Sequence, residues 1–285
     1  MADIVAIGLR ALAFAAALSA AGTAIFVWLF GTLLDRSARR IRRLTFATAL
    51  AGLLLTAAHA IVEPARLAGA WSGIVDASLH TLLLGSDFGT TTAVRLLGLL
   101  AVLAATFRPG RAGDGLAVAG AVLIAASFAF MGHTAADAER WLLAPVLIVH
   151  LVAIAFWFGA LWPLAAVAQH EEPAAAGVVI GRFSAIATWA VPGIFLAGVA
   201  MASLLLPGWS SLRTAYGFSL MAKVAGFSTL MALAALNKWR LGPGVGRGDA
   251  AAAAAFRRTI AAEWLLIVGV VAVTAVMTAL FAVRH

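Results

Sequence analysis

The chain has no cysteine, so it can form neither a disulfide nor a thiolate metal site, and any soft metal must be held by histidine, methionine or water. Charge is also scarce. Only 11% of the 285 residues are Asp, Glu, Lys or Arg, while 64% are hydrophobic and the mean hydropathy is +1.03. These values exclude an ordinary water-soluble domain. The apolar runs do not alternate with period two, which excludes a membrane β-barrel. No G-x4-GK[ST] phosphate loop is present, so an ATP-driven pump is excluded too, and nothing in the chain points to an enzyme. The apolar N-terminus lacks a basic leader, and its run is too long for a signal segment, so it reads as a retained first helix.

What remains is an all-α, polytopic membrane bundle. Runs of about 20 apolar residues, enough to cross a hydrocarbon core of roughly 30 Å, fall near residues 4–34, 44–62, 89–107, 115–132, 141–168, 183–206, 215–236 and 259–282. They predict eight transmembrane helices in one membrane domain spanning residues 1–285. The segment 63–88 reads as an amphipathic helix on the outer surface, because Trp71, Ile74, Val75, Leu79 and Leu82 follow a helical period. GRGDAAAAAAF, residues 246–256, reads as a biased loop.

The net charge of +8 is explained by where the basic residues fall. Arg36, Arg39, Arg40, Arg42, Arg43, Arg108, Arg111, Arg182, Lys238, Arg240, Arg247, Arg257 and Arg258 lie on one side. Only Arg66, Arg140, Arg213 and Arg284 lie on the other. The positive-inside rule then puts both termini on the outer, periplasmic side. The high pI records topology and contact with membrane lipid; it does not indicate nucleic-acid binding.

Candidate metal ligands gather toward the outer side. His59 ends the second span, His80 lies in the surface segment, Met131 and His133 follow the fourth span in MGHTAAD, and His150 lies nine residues into the fifth, near mid-membrane. Imidazole and thioether together suit copper. An ionisable group inside a bilayer commonly faces a water-filled path, which makes His150 in HLVAIAFWFGALWPL the leading candidate, although a structural hydrogen bond would also explain it. His59 and Glu63 share a helix face, either as an oriented imidazole or as a plain helix-end pair. Asp76 and His80 have the same spacing and read as a solvated face. Arg10, Arg95 and Lys223 are embedded cations; snorkelling accounts for Arg10, whereas Lys223 is equally consistent with a cavity role and with an ion pair. Glu263, near the inner end of the last span, is placed either to answer a basic loop or to act as a relay. Trp157 and Trp162 either line a path or pack in the interior. Gly159 permits close helix approach, and Pro163 and Pro192 invite kinks.

An ordered set of short elements resembles the CopD family of bacterial inner-membrane copper proteins. They are the GH ending at His133, H-x6-W-x-G-x-L from His150, RFS at Arg182–Ser184, the lysine of YGFSLMAKV, Asn237 before a basic loop, and AEW around Glu263. The first half of the chain matches only diffusely, through the basic first loop and FG followed by Arg95, so His59 is a candidate from its own position. The resemblance implies copper movement across the inner membrane, alongside a periplasmic CopC-like copper-binding protein, with His133 and His150 as the family's two histidines and Lys223 and Glu263 as its embedded charges. The resulting expectation is a copper permease or delivery protein with copper ion as cargo. Two alternatives stay open: a membrane b-type cytochrome, since paired histidines also hold haem, and a copper-binding assembly factor that does not transport.

Overall fold

A computed structural model describes residues 1–108, 110–131, 140–205 and 213–280. Among these residues every regular element is helical, and eight helical segments are long and apolar enough to cross a membrane. The helices are α1 (Ala2–Phe30), α2 (Ala38–Ala68), α3 (Ala77–Leu84), α4 (Asp87–Ala105), α5 (Arg111–Ser127), α6 (Arg140–His170), α7 (Pro173–Leu205), α8 (Ala215–Leu236), α9 (Gly242–Gly246) and α10 (Ala250–Leu280). Alternation of the long helices gathers the turns before α2, between α4 and α5, between α6 and α7, and around α9 at one end, hereafter the basic end.

Several helices outrun their apolar windows. Arg39, Arg40, Arg42 and Arg43 form the first turns of α2, Arg182 lies within α7, and Arg257 and Arg258 lie within α10, all places the sequence reads as loop. A helix needs apolar side chains only where it meets lipid, so its ends continue into the polar zone unmarked by hydropathy. The alanine tract of residues 250–255 is the first two turns of α10, a correction that follows from alanine's helix propensity. Asp249 caps it, accepting from the N–H groups of Ala251 at 2.9 Å and Ala252 at 3.1 Å.

The surface segment is likewise not one helix. α2 continues to Ala68 and is stopped by Gly69 in the left-handed region, at φ 67°. A 3-10 turn (Trp71–Val75) and α3 follow, and Asp76 caps α3 through Ser78 and Leu79. The Ser78 hydroxyl and these two amides hold the Asp76 carboxyl below its ordinary range. His80 turns back to the Ile74 carbonyl, 2.8 Å away.

α1 is the central post, packed against α2, α5, α6 and α10. Phe26, Phe30, Phe158, Leu161 and Leu164 are its fully buried neighbours and members. α1 and α6 cross backbone to backbone at Gly22 and Gly159: a methyl on Gly22 would stand 2.7 Å from the Gly159 Cα and inside the Ala155 carbonyl. Gly159 therefore does permit the close approach expected of it, with Gly22 as partner. α6 and α7 remain continuous helices through Pro163 and Pro192. α7 leans on α6 and α9, and α8 on α10, leaving both with mostly exposed apolar faces.

Candidate functional site

The crossing at Gly159 fixes the height of α6, and with it His150, ten residues from the start of that helix and so about 15 Å along it. The ring is half-buried, and Nδ1 lies 3.0 Å from the carbonyl oxygen of Ile194 on α7. A carbonyl only accepts, so Nδ1 carries the hydrogen and Nε2 keeps its lone pair. No hydrogen bond reaches Nε2 among the described residues. Backbone carbonyls hold metal-binding imidazoles in this way, fixing both tautomer and direction. Gly198 keeps α7 close here: a methyl at that position would lie 3.7 Å from the His150 Cε1. Lys223 of α8 is near enough to interact electrostatically with His150, and it lines a cavity of about 360 Å³ between α8 and α10 with Gly226, Leu266 and Gly269. No ion pair of Lys223 is found among the described residues, and the space beside it is lined mostly by apolar side chains.

Trp157 lies seven residues beyond His150, two turns along the same face of α6. It is buried, its edge meets Phe227 of α8 at a centroid distance of 6.4 Å, and its Nε1–H donates to Glu263 Oε2 at 3.1 Å. Its polar edge thus serves the interior instead of facing an open path. Glu263 of α10 is only 2% exposed and does not answer a basic loop; its other oxygen, Oε1, accepts from Asn237 Nδ2 at 2.6 Å. The hydroxyl of Thr259 donates to Asn237 Oδ1 at 2.5 Å. Asn237 opens a π-helical turn (Asn237–Leu241), a widened turn of the kind that recurs at functional sites. Thr259 is the member that sequence reasoning missed, and its signal was available: it precedes Glu263 by four residues, so the two share one face of α10.

A second buried polar group fills the first half of the chain. His59 Nε2 is 3.3 Å from Glu63 Oε2, close but not aligned as a hydrogen bond, and the imidazole packs near Phe88 at 5.6 Å. Glu63 Oε1 accepts from Arg66 through Nε at 2.7 Å and the terminal nitrogen at 2.6 Å. Arg10 is a correction: it does not snorkel but is buried, 5.5 Å over the Phe14 ring and within electrostatic reach of Glu63. α1 packs along α2 there, so no straight route leads its side chain to the interface. Arg95 donates from Nε to Ser127 Oγ at 3.1 Å, and its guanidinium sits between the Phe14 and Phe128 rings at 5.0 and 4.2 Å. Thr56 Oγ1, Thr91 Oγ1 and His59 Nε2 are buried without a hydrogen-bond partner among the described residues.

Met131 is half-buried just beyond the 3-10 turn Phe128–Phe130. His133 lies outside the described residues. Among the described residues no group of three or more His, Asp or Glu side chains is placed to hold a metal. The expected donors are therefore distributed, with His59 in one polar group and His150 in the other.

Residues 1–141 match the family model described as the N-terminal domain of copper resistance protein D-like proteins, and residues 177–277 match that of copper resistance protein D. The first half is thus related in full, where motif reading found only diffuse likeness, while His150 and Trp157 fall in the stretch between the two matches. No curated protein and no solved structure matches the chain. With both models in order along eight membrane-crossing helices, the chain belongs to the CopD family of copper resistance membrane proteins.

Proposed function

We propose that the protein moves copper across, or delivers it within, the bacterial inner membrane, with both termini on the periplasmic side. Copper arrives from a periplasmic CopC-like carrier, is taken up by His133 with Met131 or His59, and passes to His150. The observation that carries this reading is the His150 ring: a carbonyl fixes its Nδ1–H and leaves an unprotonated Nε2 within the bilayer. Nε2 is a neutral Lewis base, able to take a copper ion without first losing a proton. Lys223 disfavours lasting occupancy by placing a positive charge nearby. Such a site suits passage more than storage, and the scatter of donors supports hand-off from ligand to ligand. At the outer group, Glu63 lowers the positive charge of Arg10 and Arg66 beside His59 but leaves one unit uncompensated.

The test is copper content per protein, together with copper uptake into vesicles, for the wild type, His150→Ala and His133→Ala. Both histidine variants are expected to lower flux, with His150→Ala also lowering bound copper. Unchanged values for His150→Ala would remove it from the mechanism. A Soret band from purified wild type would replace the copper reading by a haem one.

A further inference from the structure

We propose that Glu263 is a proton-exchange site, with the Asn237 amide as the turning element that lets one buried network hold the carboxyl in either charge state. Its link to copper rests on the function proposed above; the proton site itself does not.

The argument begins with what surrounds the carboxyl. Glu263 is almost fully buried in a membrane-crossing helix, and both of its oxygens accept from neutral donors, Trp157 Nε1 and Asn237 Nδ2. The ionisable groups on the packed elements are Asp3 and Arg10 of α1, Arg140, His150 and His170 of α6, Lys223 of α8, Lys238 and Arg240 of the π turn, and Arg257 and Arg258 of α10 itself. None hydrogen-bonds to Glu263 or acts on it electrostatically. No cation therefore pins its charge.

The hydrogen-bond inventory then closes in two ways. In the ionised form, Asn237 Nδ2–H donates to Glu263 Oε1 and the Thr259 hydroxyl donates to Asn237 Oδ1. In the protonated form, the amide turns over: the Glu263 O–H donates to Asn237 Oδ1, and Nδ2–H donates to Thr259 Oγ1. The Thr259 hydroxyl must then find another acceptor, and the Phe256 carbonyl is already 2.8 Å away. Trp157 donates to the remaining carboxyl oxygen in both forms. An amide turned end for end occupies the same space, so the change needs one flip and one hydroxyl rotation, with no backbone movement and no buried polar atom left unpaired. Buried networks that are complete in only one protonation state hold that state; this one is complete in two.

The network also has an outlet. Thr259 is half-buried, one turn closer to the basic end than Glu263; its neighbour Arg258 is exposed, while Phe256, a turn further, is buried. The proton passes between the carboxyl and water at that end. On the other side stands Trp157, on the same face of α6 as His150, and Phe227, one turn from Lys223 on α8. Copper arriving at His150 adds positive charge along this internal face and favours release of the Glu263 proton toward the basic end. The proton thus leaves as the copper charge enters and is taken back from the same end once copper moves on, which keeps the charge of the interior constant.

Infrared spectroscopy of the reconstituted, copper-free protein tests the site. A protonated-carboxyl band that disappears as pH rises, shifts in D2O and is missing from Glu263→Gln is expected. Asn237→Val keeps the acid but removes the turning amide, and should move the midpoint of that band by about one pH unit or more. A wild-type band identical to that of Glu263→Gln at every pH overturns the proposal, as does a midpoint unchanged in Asn237→Val. Proton release on adding Cu(I) to the purified protein, read with a pH dye in weak buffer, tests the coupling: wild type should release protons and Glu263→Gln should not. A titrating band with equal proton movement in both proteins overturns the coupling alone. A titrating band in wild type that carries no copper at all removes the copper reading and leaves the proton site standing.

Discussion

Glu171 ties the turn between α6 and α7 to the start of α2, and removing its charge should loosen the basic end in a pH-dependent way. Oε1 accepts from the amides of Asp35 and Ser37, each at 3.0 Å, and from the Ser37 hydroxyl at 2.5 Å; Oε2 accepts from the Arg36 amide at 3.3 Å. Ser37 is completely buried, whereas Arg36 is exposed. In Glu171→Ala the Arg36 amide is rehydrated, but the Ser37 amide and hydroxyl lose their acceptor, each at about 1–3 kcal/mol. A loss of about 2–6 kcal/mol at neutral pH follows. Burial pushes the Glu171 carboxyl up, yet the Ser37 hydroxyl and the three amides outweigh it and hold the group below its ordinary range. Since the folded state has the lower value, the contribution is complete above the ordinary glutamate pKa of about 4.3 and is lost as pH falls through the folded value. Thermal unfolding in detergent, measured from neutral to acid pH for wild type, Glu171→Ala and Glu171→Gln, reads this directly. The gap between wild type and either variant should be widest near neutrality and close in acid. A gap of constant size down to acid pH, or none at neutrality, would refute the assignment of the clamp to an ionised carboxylate.

Three further outcomes follow from the geometry. Gly159→Ala puts a methyl into the backbone of Gly22 and Thr23, where no side chain can yield, so a destabilisation at or above the usual 1–3 kcal/mol of overpacking is expected in denaturation assays. Asp249→Ala removes the α10 cap and should cost about 1 kcal/mol by the same measurement, with copper flux retained. Lys223→Met removes the positive charge facing His150. Unit charges some 10 Å apart at an effective dielectric near 20 repel by about 1.7 kcal/mol, so copper bound at His150 should tighten by about tenfold in equilibrium dialysis while turnover falls.

The existence and order of the eight spans could be read from hydropathy alone, because a helix crossing lipid must be apolar for about 20 residues. Their ends could not, since Arg39 to Arg43 and Arg257 to Arg258 continue helices in a zone where lipid no longer constrains side chains. His150 was legible as an anomaly, one imidazole in an apolar run. Its tautomer was not, because the Ile194 carbonyl that sets it lies 44 residues away on another helix. Glu263 stood out as an embedded acid, but its partner Trp157 is 106 residues distant, beyond the reach of any local periodicity. Arg10 was misread because length and flexibility argue for snorkelling, whereas the packing of α2 along α1 and the acid at Glu63 decide otherwise.

The two polar groups solve the problem of buried charge in opposite ways, and the contrast bears on which of them can change state. In the first, Arg66 is paired to Glu63, Arg10 senses the same carboxylate, and Arg95 is held between two aromatic faces. Altering one charge there strands its partner in a low-dielectric interior, a cost of about 3–5 kcal/mol for a fully buried pair. That arrangement favours permanence. In the second, His150, Lys223 and Glu263 meet a carbonyl, a cavity, an indole and an amide, all neutral, so none of them depends on a fixed opposite charge. A cation added at His150 or a proton removed at Glu263 breaks no existing ion pair. Two helices beside the second group, α7 with the Ile194 carbonyl and α8 with Lys223, are also the least enclosed by their neighbours, so they move at the smallest loss of contact. In the function proposed above, the steps that change charge therefore fall to the second half of the bundle, with the first half as the frame beside it.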